Sequence, residues 1–119
     1  MAQQPHLICA SAQLKNAATG VRFEVEIGGT SVPAFVIRYH NKIHAYLNRC
    51  AHIPIEMDWQ PGDFFDFSGL YLVCATHGAL YLPETGQCAS GRCAGKGLTA
   101  VSVQEHDGNI YLTEEIHHV

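Results

Sequence analysis

Residues 70–86, LYLVCATHGALYLPETG, run from an apolar strand into a cysteine, two spacers and a histidine, then reach a glycine, a second apolar pair and a Pro-Glu-Thr-Gly turn. Cys74-x-x-His77 suits a tight turn that folds the two side chains together. A second pair stands upstream in residues 47–57, LNRCAHIPIEM. Cys50 and His52 are two apart, so in extended backbone their side chains leave the same face. The full spacing is C-x-H-x21-C-x2-H. Two such loops, side by side, can enclose a small metal centre.

The surrounding sequence reads as all-β. Val21-Arg22-Phe23-Glu24-Val25-Glu26-Ile27 alternates apolar and charged residues, which puts Val, Phe, Val and Ile on one sheet face. Gly28-Gly29 supplies a turn, Val32 to Tyr39 a second strand, His40-Asn41-Lys42 a reversal, and Ile43 to Leu47 a third strand. Leu70 to Val73 and Leu98 to Val103 are further strands, and Asp107-Gly108 turns the last of these into Ile110-Tyr111-Leu112. Two long irregular stretches, about residues 48–69 and 75–97, interrupt the meander. Loops of that length in a small domain are usually functional or disordered, and because each begins at one of the Cys/His pairs, function is the better reading.

Composition narrows the classes. A chain of 119 residues suits one domain. With 47% apolar residues, 15% charged residues and a net charge of -4, it lacks the basic excess of a nucleic-acid binder. The N-terminal residues have no basic n-region or long apolar run, and no stretch reaches membrane-spanning length, so the expected location is the cytoplasm. Five cysteines, an odd number, argue against a fully paired secreted scaffold, and in a reducing compartment clustered Cys and His bind metal. Cys9 reads as a small buried side chain. Cys88 and Cys93, in GQCASGRCAGKG, are expected to be thiols. Two Cys and two His also satisfy a closed tetrahedral zinc site.

Taken together, the strand pattern before Cys50, both loops, CATHGALY, the PETG turn and the HDGNIYL hairpin resemble the Rieske iron-sulfur family over most of the chain. The resemblance implies a single domain over 1–119, with an antiparallel sandwich or barrel-like β base and a cluster-binding subdomain of two loops at about residues 48–97. It implies one [2Fe-2S] cluster per chain, with Cys50 and Cys74 on one iron and His52 and His77 on the other. Gly78 makes the loop turn, and Tyr81 stands where relatives place a hydroxyl donor to a ligand-cysteine sulfur. Two ferric ions, two sulfides and two thiolates sum to zero charge, so accepting an electron is easier than in an all-cysteine cluster. The His-Gly turn, Tyr81 and the lack of a finger helix weigh against zinc.

Departures from respiratory relatives are specific. Their loops are tied by a disulfide, but Ile55 stands in the first loop where that cysteine would fall, and only Ala75 and Thr76 separate the second-loop ligands. They also carry a serine after the His-Gly pair that donates a hydrogen bond to a sulfide, whereas this chain has Ala79. Such bonds stabilise the reduced state, so a lower potential is expected.

The function implied is that of a Rieske-type ferredoxin, a monomeric one-electron carrier that is not itself an enzyme. A flavin-dependent NAD(P)H reductase would supply it, and a terminal oxygenase or similar acceptor would draw from it, with no nucleic-acid or membrane partner. The alternatives are an iron-sulfur redox sensor, a small subunit of a multicomponent oxygenase and a zinc-bound structural module. Between the ligand loops, EMDWQPGDFFDFSG combines Glu56, Asp58, Asp63 and Asp66 with Trp59, Phe64 and Phe65. The aromatics are expected to pack on the base. The carboxylates are expected to be solvated, or, in a sharper reading, to steer a basic redox partner. His6, His40, His44, His106, His117 and His118 lack ligand spacing and read as solvated residues.

Overall fold

A computed structural model describes residues 6–49, 55–58, 60–76, 78–91 and 96–113. Among the described residues nine strands form three antiparallel three-stranded sheets, and the one helical element is a short 3-10 turn, Ser11–Gln13. The first sheet joins the chain ends, with β1 (His6–Ala10) beside β9 (Asn109–Leu112), which is flanked in turn by β8 (Val103–His106). The second holds β2 (Val21–Ile27), β3 (Thr30–Tyr39) and β4 (Lys42–Leu47) in consecutive hairpins. The third holds β5 (Leu72–Val73), β6 (Leu80–Tyr81) and β7 (Cys88–Ser90). Among the described residues the base is made of open sheets and does not close into a barrel.

The core follows from one strand. Thr30–Tyr39 contains the run Val32-Pro33-Ala34-Phe35-Val36-Ile37, apolar at every position, as expected for a strand buried on both faces. Ala34 and Val36 point to one side, where they join Cys9, Val25, Ala45, Leu47, Ile110 and Leu112. Phe35, Ile37 and Tyr39 point to the other and join Tyr46, Met57, Phe64, Leu72, Cys74, Ala79 and Tyr81. The middle sheet is therefore sandwiched between the sheet of the chain ends and the small third sheet, after whose first strand Cys74 follows. Phe35 pairs across the strands with Tyr46 and stacks on Phe64, with ring centroids 3.8 Å apart. Each such fully buried large side chain contributes about 1.5–3 kcal/mol of burial.

Where sequence and structure differ, turns and edges are responsible. The Val21–Ile27 strand is found with its expected alternation. The reversal at His40 and Asn41 places both in the left-handed region, φ 49° and 67°, as a two-residue hairpin of the mirror-image type requires. Leu98 to Val103 is not one strand. Its first part runs along the free edge of β4, with Leu47 N donating to Thr99 O and Val101 N donating to Ala45 O, each at 2.9 Å, and the strand proper starts only at Val103. β1, β6 and β7 carry no strong sequence alternation. They are strands because partners hold them, Tyr111 and Ile110 for β1 and Leu72 and Cys88 for β6.

Tyr46 locks the closing turn of the third sheet. Its buried hydroxyl donates to Pro83 O at 2.7 Å, and the Gly86 backbone lies against its ring, where an added Cβ would come within 2.7 Å. Burial, with a smaller push from Glu84, raises this phenol to about 12. Below pH ~10 both folded and unfolded chains keep the phenol neutral, and its contribution is complete. Between pH ~10 and ~12 the unfolded chain ionises first, so stability should fall by up to about 3 kcal/mol. Urea unfolding followed from pH 9 to 12 should show this slope, reduced in Tyr46→Phe.

Candidate metal centre

Of the four proposed ligands, Cys74 lies among the described residues; Cys50, His52 and His77 lie outside them. Cys74 follows β5 directly and is completely buried in the core shared by the middle and third sheets. Its backbone is fixed on both sides. Cys74 N donates to Ala79 O at 2.9 Å, and Cys74 O accepts from Gly78 N at 2.7 Å. Gly78 sits at φ +71°, and a Cβ added there would meet nothing within 4 Å, so its conformation, and not lack of space, is what favours glycine. Ala79 is buried as well, and the backbone of Gly91 lies so close that a Cβ there would come 3.0 Å from Ala79 Cα. Tyr81 is fully buried in the same core cluster as Cys74 and Ala79.

The two loops meet in the chain's backbone. After β4 ends at Leu47, Asn48 N continues the pairing by donating to Pro33 O at 2.8 Å, and two residues later in sequence comes Cys50. Ile55 re-enters partly buried against the core, Met57 is fully buried, and Met57 O accepts from Ala75 N at 2.9 Å. Ala75 stands between Cys74 and His77 in sequence. The segment that follows Cys50 and His52 in sequence is thus bonded to the residue after Cys74.

A buried polar group that sequence reasoning missed holds this junction. Asn48 is 2% exposed, and its Oδ1 accepts from Met57 N at 2.9 Å while its Nδ2 donates to Asp58 Oδ1 at 2.9 Å. Asp58 Oδ2 accepts from Gly62 N at 2.9 Å and faces Arg22 Nε of β2 at 3.7 Å. Arg22 also reaches Glu56 at 2.6 Å. The expectation of a solvated or partner-steering Asp58 is therefore corrected: its side chain is fully buried and engaged. The signal is weak in sequence, because Asp58 stands in an acidic stretch that looks like any solvated loop. Glu56 and Asp63 are exposed, Asp66 caps its own turn through Gly69 N, and Phe64 packs on the base as expected. Trp59 lies outside the described residues.

Other residues singled out in the sequence fall elsewhere. Cys9 is buried in the opposite core, where burial pushes its thiol up. Cys88 is disulfide-bonded, which corrects the expected thiol; Cys93 lies outside the described residues. His40 and His106 are exposed, but His44 is half-buried with its Nε2 unpaired, and desolvation draws its pKa down. The side chain of His6 is not described, and His117 and His118 lie outside. Among the described residues no group of three or more Cys, His, Asp or Glu forms a metal site, and no helix is long and apolar enough to cross a membrane.

These features fit an iron-sulfur centre. Two thiols and two imidazoles are the donor set of a Rieske centre, and the described thiol is removed from water at the base of a closed turn. The fold itself has known counterparts. The ferredoxin of carbazole 1,9a-dioxygenase from Nocardioides aromaticivorans IC177 superposes with a TM-score of 0.72 at 20% identity, over 95% of this chain and 100% of that one. The structure of a complex of reduced oxygenase and oxidized ferredoxin in carbazole 1,9a-dioxygenase matches with a TM-score of 0.69 at 23% identity, over 92% of each chain. The quaternary ammonium Rieske monooxygenase CntA matches with a TM-score of 0.72 at 16% identity, over 94% of this chain but 32% of that one. A search of curated proteins returns no match. The model of the Rieske [2Fe-2S] domain matches residues 4–114, and the chain belongs to that family, whose cofactor is a [2Fe-2S] cluster.

Proposed function

We propose that this chain is a Rieske-type ferredoxin, a one-electron carrier that takes electrons from a flavin-dependent NAD(P)H reductase and delivers them to a terminal oxygenase. Cys50 and Cys74 hold one iron and His52 and His77 the other, within a ligand-bearing subdomain of about residues 48–97. When bound, the cluster supplies a one-electron couple. The protein's part is to hold the ligands, shield the thiolates and set the hydrogen-bond supply around them. The observation that carries the reading is the complete burial of Cys74, which suits the inner, thiolate-held iron and leaves the histidine side to meet partners. Likeness to a dioxygenase ferredoxin over the whole of that chain supports a carrier.

Ala79 is buried where a hydroxyl would be needed, and it brings no side-chain donor. The potential is accordingly expected between about -150 and 0 mV, the lower part of the Rieske range. Protein-film voltammetry should give a reversible one-electron wave there, and the reduced protein should be reoxidised by an oxygenase of the carbazole 1,9a-dioxygenase type. A potential near the upper Rieske limit, about +300 mV, would contradict the assignment of Ala79. Cluster loss during cycling would favour a redox sensor.

A further inference from the structure

The side-chain bonds of Asn48 and Asp58 join parts of the molecule that the sequence keeps apart. From the middle sheet, Arg22 faces Asp58; Asp58 bonds Asn48 and Gly62 N; Asn48 bonds Met57 N; and Met57 O receives Ala75 N. Residue 48 stands just before the first ligand pair and residues 57 and 58 just after it, so the Asn48 side chain closes the neck of the first loop. Met57 then bonds through its carbonyl oxygen to Ala75, between Cys74 and His77 in sequence. Gly20 N donates to Gly62 O at 2.8 Å, which fastens the far side of the network to the base.

Burying an asparagine and an aspartate together is costly unless their polar atoms find partners. Here each side-chain oxygen of the pair has one, and the Asn48 Nδ2 has one. Neither residue is needed to fill the core, since apolar side chains of similar size would do that without a desolvation cost. The directional bonds are what an apolar pair could not supply.

We propose that Asn48 and Asp58 form a clasp that positions the two ligand loops relative to each other, in the role that a disulfide takes in relatives whose loops are covalently tied. They are positioning residues and touch no reacting atom. The proposal rests on the reading that Cys50, His52, Cys74 and His77 hold the cluster, and it assigns retention of the cluster to hydrogen bonds that a substitution can break and restore.

The bond pattern allows a specific exchange. Asn48→Asp alone keeps an acceptor for Met57 N but sets two carboxyl groups against each other. Asp58→Asn alone keeps the shape but removes the charge that faces Arg22. Made together, the two substitutions restore all three hydrogen bonds, with the negative charge moved from position 58 to position 48: the carboxylate at position 48 accepts from Met57 N and from the new amide, whose oxygen accepts from Gly62 N. Iron release from the purified holoprotein to an excess of ferrous chelator should be at least about tenfold faster in Asn48→Ala and Asn48→Asp, and within about twofold of wild type in the exchanged pair. Far-UV circular dichroism should stay unchanged throughout. Wild-type release rates in Asn48→Ala and Asn48→Asp, or an exchanged pair that folds but loses iron as fast as Asn48→Asp, would overturn the clasp. Amide hydrogen exchange on the wild-type chain gives a reading that needs no variant. The Met57 and Ala75 amides should be protected together, and free exchange at either would count against the proposal even if Asn48→Ala failed to fold. Absence of iron from the wild-type protein would instead overturn the ligand assignment, and the two failures are thereby distinguished.

Discussion

Cys74→Ser will give a folded protein that has lost its iron. The substitution keeps the size of the side chain and both backbone bonds that close the turn, to Ala79 O and from Gly78 N. It removes the thiolate, and a serine hydroxyl does not ionise near neutral pH to replace it. Cys74 has no exposure to water, so neither solvent nor another side chain can move in cheaply as a substitute ligand. Iron in the anaerobically purified variant should fall at least tenfold below wild type, and the visible absorption should fall with it. Placing a hydroxyl in this apolar setting should cost about 1–3 kcal/mol if it finds no hydrogen-bond partner. Retained colour and full iron content would remove Cys74 from the ligand set.

Phe35→Ala should cause the largest loss of stability of any single truncation in the middle sheet. Phe35 is completely buried, stacks on Phe64 at 3.8 Å and tilts against Tyr46 at 6.0 Å. Its loss leaves a cavity between the strand that organises the fold and the sheet that carries Cys74. Truncation of a buried phenylalanine costs about 3–5 kcal/mol, a large fraction of the stability of a small domain. Urea unfolding of the variant should show the midpoint shifted down by that amount with an unchanged slope. A cost below about 1 kcal/mol would contradict a middle sheet buried on both faces.

Cys74 and Phe35 differ in how far the sequence discloses them. The Cys/His spacing stands out because metal chemistry restricts residue type and spacing together, and few packing arguments place Cys74-x-x-His77 at a strand end. The Val21–Ile27 strand is equally clear, since its alternation reflects a single buried face. The strand around Phe35 is legible as a strand, but its unbroken apolar run does not say which sheet covers which face. That depends on contacts between segments far apart in the chain, such as Ile110 on one side and Leu72 on the other. Asn48 and Asp58 are illegible for a related reason. Their value lies in a bond across ten residues and a charge on another strand, and no local pattern records it. Cys88 departs from expectation because a thiol follows from the presumed compartment and not from the geometry around it.

Cys50, His52, Cys74 and His77 as the ligands of one [2Fe-2S] cluster, in a chain of the Rieske [2Fe-2S] domain family, dictate the metal content. The most direct test is iron, acid-labile sulfide and zinc content of the anaerobically purified wild-type protein, with an EPR spectrum after dithionite reduction. About two irons and two sulfides per chain, with a reduced-state signal whose average g lies below the free-electron value, is the expected result. A colourless protein with one zinc per chain and no sulfide would contradict it.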